Sequence, residues 1–77
     1  MSEIRTYTTA TGTIDVQRGD VLEYDDDGVI VRVEVVHAGS SVLTRWVCSI
    51  LPDGTLVRGN GQQQRHSMWL HDWRHAP

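Results

Sequence analysis

The sequence predicts an all-β, mainly antiparallel domain of about five strands, forming a small barrel or a strongly curled sheet. Three observations predict it. Val, Ile and Thr are abundant, Val29–His37 alternates with a period of two, and short turns punctuate the chain at Asp25–Gly28, Ala38–Ser41 and Pro52–Gly54. The 77 residues read as one domain spanning 1–77, with no internal repeat and no linker.

Each element follows from its residues. Ile4–Thr13 is rich in Thr and reads as extended. Asp15–Asp20 reads as a loop, with Gly19 suited to a left-handed position. Val21–Tyr24 is a short strand, and Asp27-Gly28 is a favoured hairpin pair. In Val29–His37, alternation places Val29, Val31, Val33 and Val35 toward the core, with Ile30, Arg32, Glu34 and Val36 opposite. Strict alternation along Val42–Leu51 groups Val42, Thr44, Trp46, Cys48 and Ile50 on one face, opposite Leu43, Arg45, Val47, Ser49 and Leu51. Trp46 is expected in the core. Pro52-Asp53-Gly54 turns the chain, and Thr55–Arg58 returns as a hairpin partner. Gly59–Gln64 reads as a flexible polar loop. Ser67–His75 reads as a short helical turn or a short closing strand.

The run Gly19–Val36, GDVLEYDDDGVIVRVEVV, resembles the opening of an SH3-like or KOW-like small β-barrel. In such barrels a Gly-Asp precedes a short strand, an acidic-Gly turn and a long Val-rich strand. The resemblance implies a fold and no activity. The aromatics with which SH3 domains hold proline-rich ligands are not matched, so those ligands are not implied.

Composition narrows the function classes. Seven Arg with no Lys, no Phe and a single Asn point to a GC-rich genome, such as that of an actinobacterium or one of its phages. A net charge of −3 argues against a dedicated duplex-DNA binder. The lone Cys48 excludes an internal disulfide and reads as a small buried hydrophobe. Met1–Ala10 is polar, with no leader-like apolar stretch, and no run is long enough to cross a membrane, so a cytoplasmic protein is expected.

The candidate binding surface is Arg45, Arg58, Arg65, His66, Trp69, His71, Trp73 and Arg74, since Trp and Arg are enriched in binding hot spots. At least one of Trp69 and Trp73 is expected in the core. Asp25, Asp26 and Asp27 form an acidic turn, which is either a solvated hairpin tip or a contact for a basic partner. In a helical tail, His71 and His75 would sit one turn apart like a zinc pair, with His66, Cys48 or Asp72 as a third ligand. No C-x-x-C or H-E-x-x-H accompanies them, and no metal or other cofactor is expected. Nor does any nucleophile–base–orienter signature mark an enzyme. The expected function is a small non-enzymatic protein-interaction module of bacterial or phage origin, in a phage an accessory protein modulating a host complex. The alternatives are a single-stranded nucleic-acid binder and a homo-oligomeric structural protein.

Overall fold

The computed structural model describes residues 3–77; the polar start at Met1 and Ser2 lies outside the described residues. The fold is all-β and antiparallel, with eight strands in two sheets. The strands are β1 (Arg5–Thr9), β2 (Gly12–Val16), β3 (Val21–Asp26), β4 (Val29–Ala38), β5 (Val42–Ile50), β6 (Leu56–Arg58), β7 (Gln63–His66) and β8 (Arg74–His75). A 3-10 turn, Met68–Leu70, precedes β8, so the tail contains both a helical turn and a closing strand.

The segment read as extended from Ile4 to Thr13 is a hairpin, β1–β2, turning at Ala10-Thr11. The larger sheet runs β6-β5-β4-β3-β8, with β7 also on β5. Among the described residues no ladder joins the β6/β7 edge to β8. The β3–β4 turn has the predicted chemistry. Asp26 pairs with Val29, and Asp27 and Gly28 both adopt positive φ, 54° and 90°. Two such residues give the backbone twist that a tight hairpin needs. The Asp25 carboxylate accepts the Gly28 N–H at 2.8 Å.

The long strand β4 alternates as expected as far as Val35, with Val33 and Val35 buried; Val36 is then an extra residue, since Val35 pairs with Thr44 and His37 with Leu43. Val33 and Val35 join Leu22, Tyr24 and Val42 on the inner face of the sheet. Ile14 and Val16 of the small hairpin cover this face, together with Met68 and Trp73 of the tail. The Tyr7 hydroxyl donates to the Gly39 carbonyl at 2.6 Å, and the Ala10 N–H donates to the His71 carbonyl at 2.9 Å. These bonds fix the hairpin across one half of the inner face.

Strand β5 departs from simple alternation. Val33 pairs with Trp46, but Arg32 pairs with Cys48, so Val47 is an extra residue and forms a bulge. Cross-strand partners share a face. Trp46 therefore shares the inner face with Val33, while Cys48 lies with Arg32 on the outer face. The expected grouping of Trp46 with Cys48 fails here, because a bulge shifts the side-chain period by one. Arg45 and Cys48 consequently share a face.

The bulge is matched by a kink in the returning chain. The Gly59 N–H donates to the Val47 carbonyl at 2.8 Å, the Gly61 N–H to the Trp46 carbonyl at 3.2 Å, and the Trp46 N–H to the Gln62 carbonyl at 2.9 Å. Strands β6 and β7 thus act as one return strand interrupted opposite Val47. The polar segment read as a loop through Gln64 is partly strand, since β7 begins at Gln63.

The outer face collects five of the seven arginines. Arg74, Glu23, Arg32, Cys48 and Arg58 pair in register across β8, β3, β4, β5 and β6, and Glu34 pairs with Arg45. Arg65 pairs with Leu43, which shares the face of Arg45. Glu23 is buried between Arg32 (Nη2 to Oε2, 3.0 Å) and Arg74 (Nε to Oε1, 3.1 Å). The Glu34–Arg45 pair, at 3.6 Å and half-exposed, contributes little.

Glu23→Ala should therefore destabilise the protein by about 1–3 kcal/mol, because it leaves Arg32 without its carboxylate and Arg74 with Asp72 alone (2.9 Å) beside a vacated, buried position. Urea denaturation measures this. A loss below about 0.5 kcal/mol would place the clamp among surface pairs of no consequence.

Candidate binding site

The inner face is only half covered. Beyond the hairpin, the sheet holds an open pocket of about 210 Å³ lined by Tyr24, Val31, Val33, Thr44, Trp46, Ser49, Gln62, Gln64 and His66. The β5 bulge builds this pocket. It passes the inner-face position from Trp46 to Ser49, which pairs with Val31. The indole N–H of Trp46 donates to the Ser49 hydroxyl at 3.0 Å. Trp46, expected in the core, is instead a half-buried wall of the pocket.

His66 is the buried wall. It sits at the end of β7, opposite Val42. Its Nε2 lies 3.1 Å from the Thr44 hydroxyl, and that hydroxyl donates its single hydrogen to the Gln64 carbonyl at 3.2 Å. Nε2 must therefore carry the proton, which in neutral imidazole leaves Nδ1 as an acceptor. Burial first, and the neighbouring His71 second, hold His66 below the ordinary imidazole range.

The sign of the resulting pH dependence follows. As pH falls, the unfolded chain takes up this proton near the ordinary value of about 6.5, before the folded protein does. Stability from neutral His66 is complete above that pH and declines below it, until the folded form also protonates. The slope approaches about 1.4 kcal/mol per pH unit at most. Urea midpoints measured from pH 7.5 down to 5 should fall, and His66→Gln should flatten that profile. An unchanged profile would assign the effect to other groups.

Behind the pocket lies an aromatic cluster. Tyr24 stacks on His71 at 4.3 Å between ring centroids and tilts against Trp73 at 4.4 Å. His66 meets Trp73 edge-on at 4.9 Å. Burial, reinforced by the charge of Asp26, raises the Tyr24 phenol above its usual range. The Trp73 N–H is buried and has no hydrogen-bond partner among the described residues.

The sequence-derived binding surface is divided by the structure. Arg45, Arg58, Arg65 and Arg74 lie on the outer face, away from the pocket. His66 lines the pocket from a buried position, Trp73 is a core residue, and His71 is half-buried against Tyr24. Trp69 is 65% exposed on the 3-10 turn, beside exposed Leu70. Asp25, Asp26 and Asp27 form an exposed tip. The helical spacing needed for a His71–His75 zinc pair does not form; His75 Nε2 instead lies 2.8 Å from the Asp15 carbonyl. Among the described residues no three His, Cys, Asp or Glu side chains converge as metal ligands.

Sequence reasoning missed Tyr24, Ser49, Gln62 and Gln64 as site residues. Three of them are small or amide side chains with no chemical signature, and they meet only because of the bulge. Comparison with known protein families, with curated proteins and with solved structures finds no match.

Proposed function

We propose that this chain is a non-enzymatic protein-interaction module that receives an extended partner segment at the β6/β7 edge and one of its side chains in the inner-face pocket. The observation that carries this is the position and size of the pocket. At about 210 Å³ it lies below the ~300 Å³ and upward of ordinary small-molecule sites. It also opens beside Gln62 and Gln64, where β7 has only β5 as a strand partner among the described residues. An added strand gains main-chain hydrogen bonds at such an edge and specificity from pockets for alternate side chains. Exposed Trp69 and Leu70 offer a second anchor.

The pocket's chemistry favours binding over catalysis. Ser49 accepts the Trp46 N–H, His66 is tied to Thr44, and Cys48 lies on the other face. No nucleophile–base pair is formed among them. We read the fold as a small SH3-like barrel on the likeness of Gly19–Val36 and the antiparallel strand order of the larger sheet. The arginines and the pocket's rings lie on opposite faces, whereas single-strand binders interleave them; this favours a protein ligand over nucleic acid. One observation favours a second reading, self-association. Leu56 and Val57 are exposed on edge strand β6, which invites pairing between copies.

The test is a random-peptide library panned against the full chain, with the selected peptides mapped by amide chemical shifts. Shifts centred on Trp46 and Gln62–His66, lost in Trp46→Ala, are expected. No enrichment, or shifts confined to the arginine face, would overturn the proposal. Concentration-dependent light scattering abolished by Leu56→Lys would favour self-association.

A further inference from the structure

The pocket's walls define the chemistry of what enters it. Three of its lining residues carry π systems, Tyr24, Trp46 and His66, and its remaining polar groups are neutral hydroxyls and carboxamides. No arginine lines it, because strand alternation and the Val47 bulge send all five arginines of the larger sheet to the outer face.

Negative charge stands at one end of the same face. Asp26 occupies the next inner-face position beyond Tyr24 on β3, pairing with Val29 as Tyr24 pairs with Val31. It is close enough to raise the Tyr24 phenol. Asp25 and Asp27 flank it, and the Pro52–Gly54 turn with Asp53 packs alongside, since a Cβ at Gly28 would lie 3.6 Å from Pro52.

We propose that the pocket binds the cationic head of a lysine-type side chain, unmodified or N-methylated, presented by the partner segment. The proposal rests on the protein-interaction reading and names the side chain which that reading leaves open. Aromatic faces attract ammonium groups through the ring quadrupole, best when the cation is partly desolvated. The space is sufficient for one head group: a cavity of about 150 Å³ elsewhere accepts benzene, and this one is about 210 Å³. Gln62, Gln64 and Ser49 supply oxygen acceptors at the rim, and the Asp25–Asp27 tip supplies the complementary charge. A neutral apolar side chain would use the rings but neither the oxygens nor the carboxylates.

Two probes separate charge from shape. Choline carries a quaternary ammonium, and 3,3-dimethyl-1-butanol is its neutral counterpart of the same shape. Each is titrated into the full chain at constant ionic strength and followed by the Trp46 indole and the Ser49 and Gln64 amide resonances. Choline should produce saturable shifts centred on these residues, and the neutral analogue should bind at least about tenfold more weakly. Trp46→Leu should abolish choline binding. Asp26→Asn, an exposed change that leaves the core untouched, should weaken it about twofold or more.

Equal binding of the two probes, or no localised shift with choline, would overturn the proposal. The peptide arm keeps the two readings apart. Peptides selected on the full chain should carry Lys at one position, and its replacement by norleucine should cost at least about tenfold in affinity. Selected peptides with a neutral residue there would refute the cation pocket while leaving the interaction module standing. Choline binding without any selected peptide would refute a partner side chain as the source of the cation.

Discussion

Trp73→Ala is expected to remove the cooperative thermal transition of this protein, or to lower its midpoint by at least about 12 °C. Trp73 is 3% exposed and lies within 4.4 Å of Tyr24 and 4.9 Å of His66, measured between ring centroids. It joins the tail to the inner face of β3 and to β7. Truncating a buried tryptophan costs about 3–5 kcal/mol, against a total stability of about 4–12 kcal/mol for a chain of this length. The chain has no disulfide to limit the damage. Near-UV circular dichroism should lose its aromatic signal together with the transition.

Trp73→Phe separates volume from polarity. The indole N–H of Trp73 is buried without a partner among the described residues, so phenylalanine removes an unsatisfied donor while leaving a smaller cavity. Its cost should be less than half that of the alanine variant. Equal costs would mean that the ring retained by phenylalanine contributes nothing to the packing of the cluster. A Trp73→Ala protein melting within about 5 °C of the parent would show that the cluster does not hold the tail.

Gly59→Ala should be the second most damaging change, for a different reason. A Cβ at this position would lie 2.6 Å from the Trp46 carbonyl oxygen and 2.8 Å from the Val47 carbonyl carbon and oxygen. All three are backbone atoms, so no side-chain rotation relieves the overlap. The return strand must move off β5 and lose the hydrogen bonds from Gly59 to Val47 and from Gly61 to Trp46. Overpacking of this kind costs about 1–3 kcal/mol or more.

The local effect should exceed the global one. Gln62 and Gln64 are carried on the same return strand and form the pocket rim. Amide exchange at Trp46 and Gly61 should accelerate strongly, and choline and peptide binding should fall with it. Protection at Leu22 and Val33, deep in β3 and β4, should fall only by the global loss. Uniform acceleration throughout the sheet would mean that the return strand and the core unfold as one unit.

Much of the strand pattern was readable locally. The Asp27-Gly28 turn, the inward valines of β4 and the return of Leu56–Arg58 after Pro52–Gly54 each follow from short-range backbone and burial rules. The N-terminal hairpin was legible as extended chain but not as a pair, since Ala10-Thr11 carries no strong turn signal. The binding site was much less legible. Arginines and tryptophans marked residues suited to contacts, yet Trp73 proved to be core, the sheet arginines lie opposite the pocket, and of that set His66 alone lines it.

By itself, the sequence determined that this protein is a small antiparallel β domain, because side-chain alternation and turn chemistry act over a few residues. Tertiary structure alone decided which faces β5 and its return strand present. The single extra residue at Val47 is invisible to local pattern, since a bulge is defined by the register between two strands. It moves Cys48 to the outer face and turns Ser49 inward beside Trp46. Gly59 permits the close approach that locks this register. An aromatic pocket without arginine results, on one side of a sheet whose other side holds five.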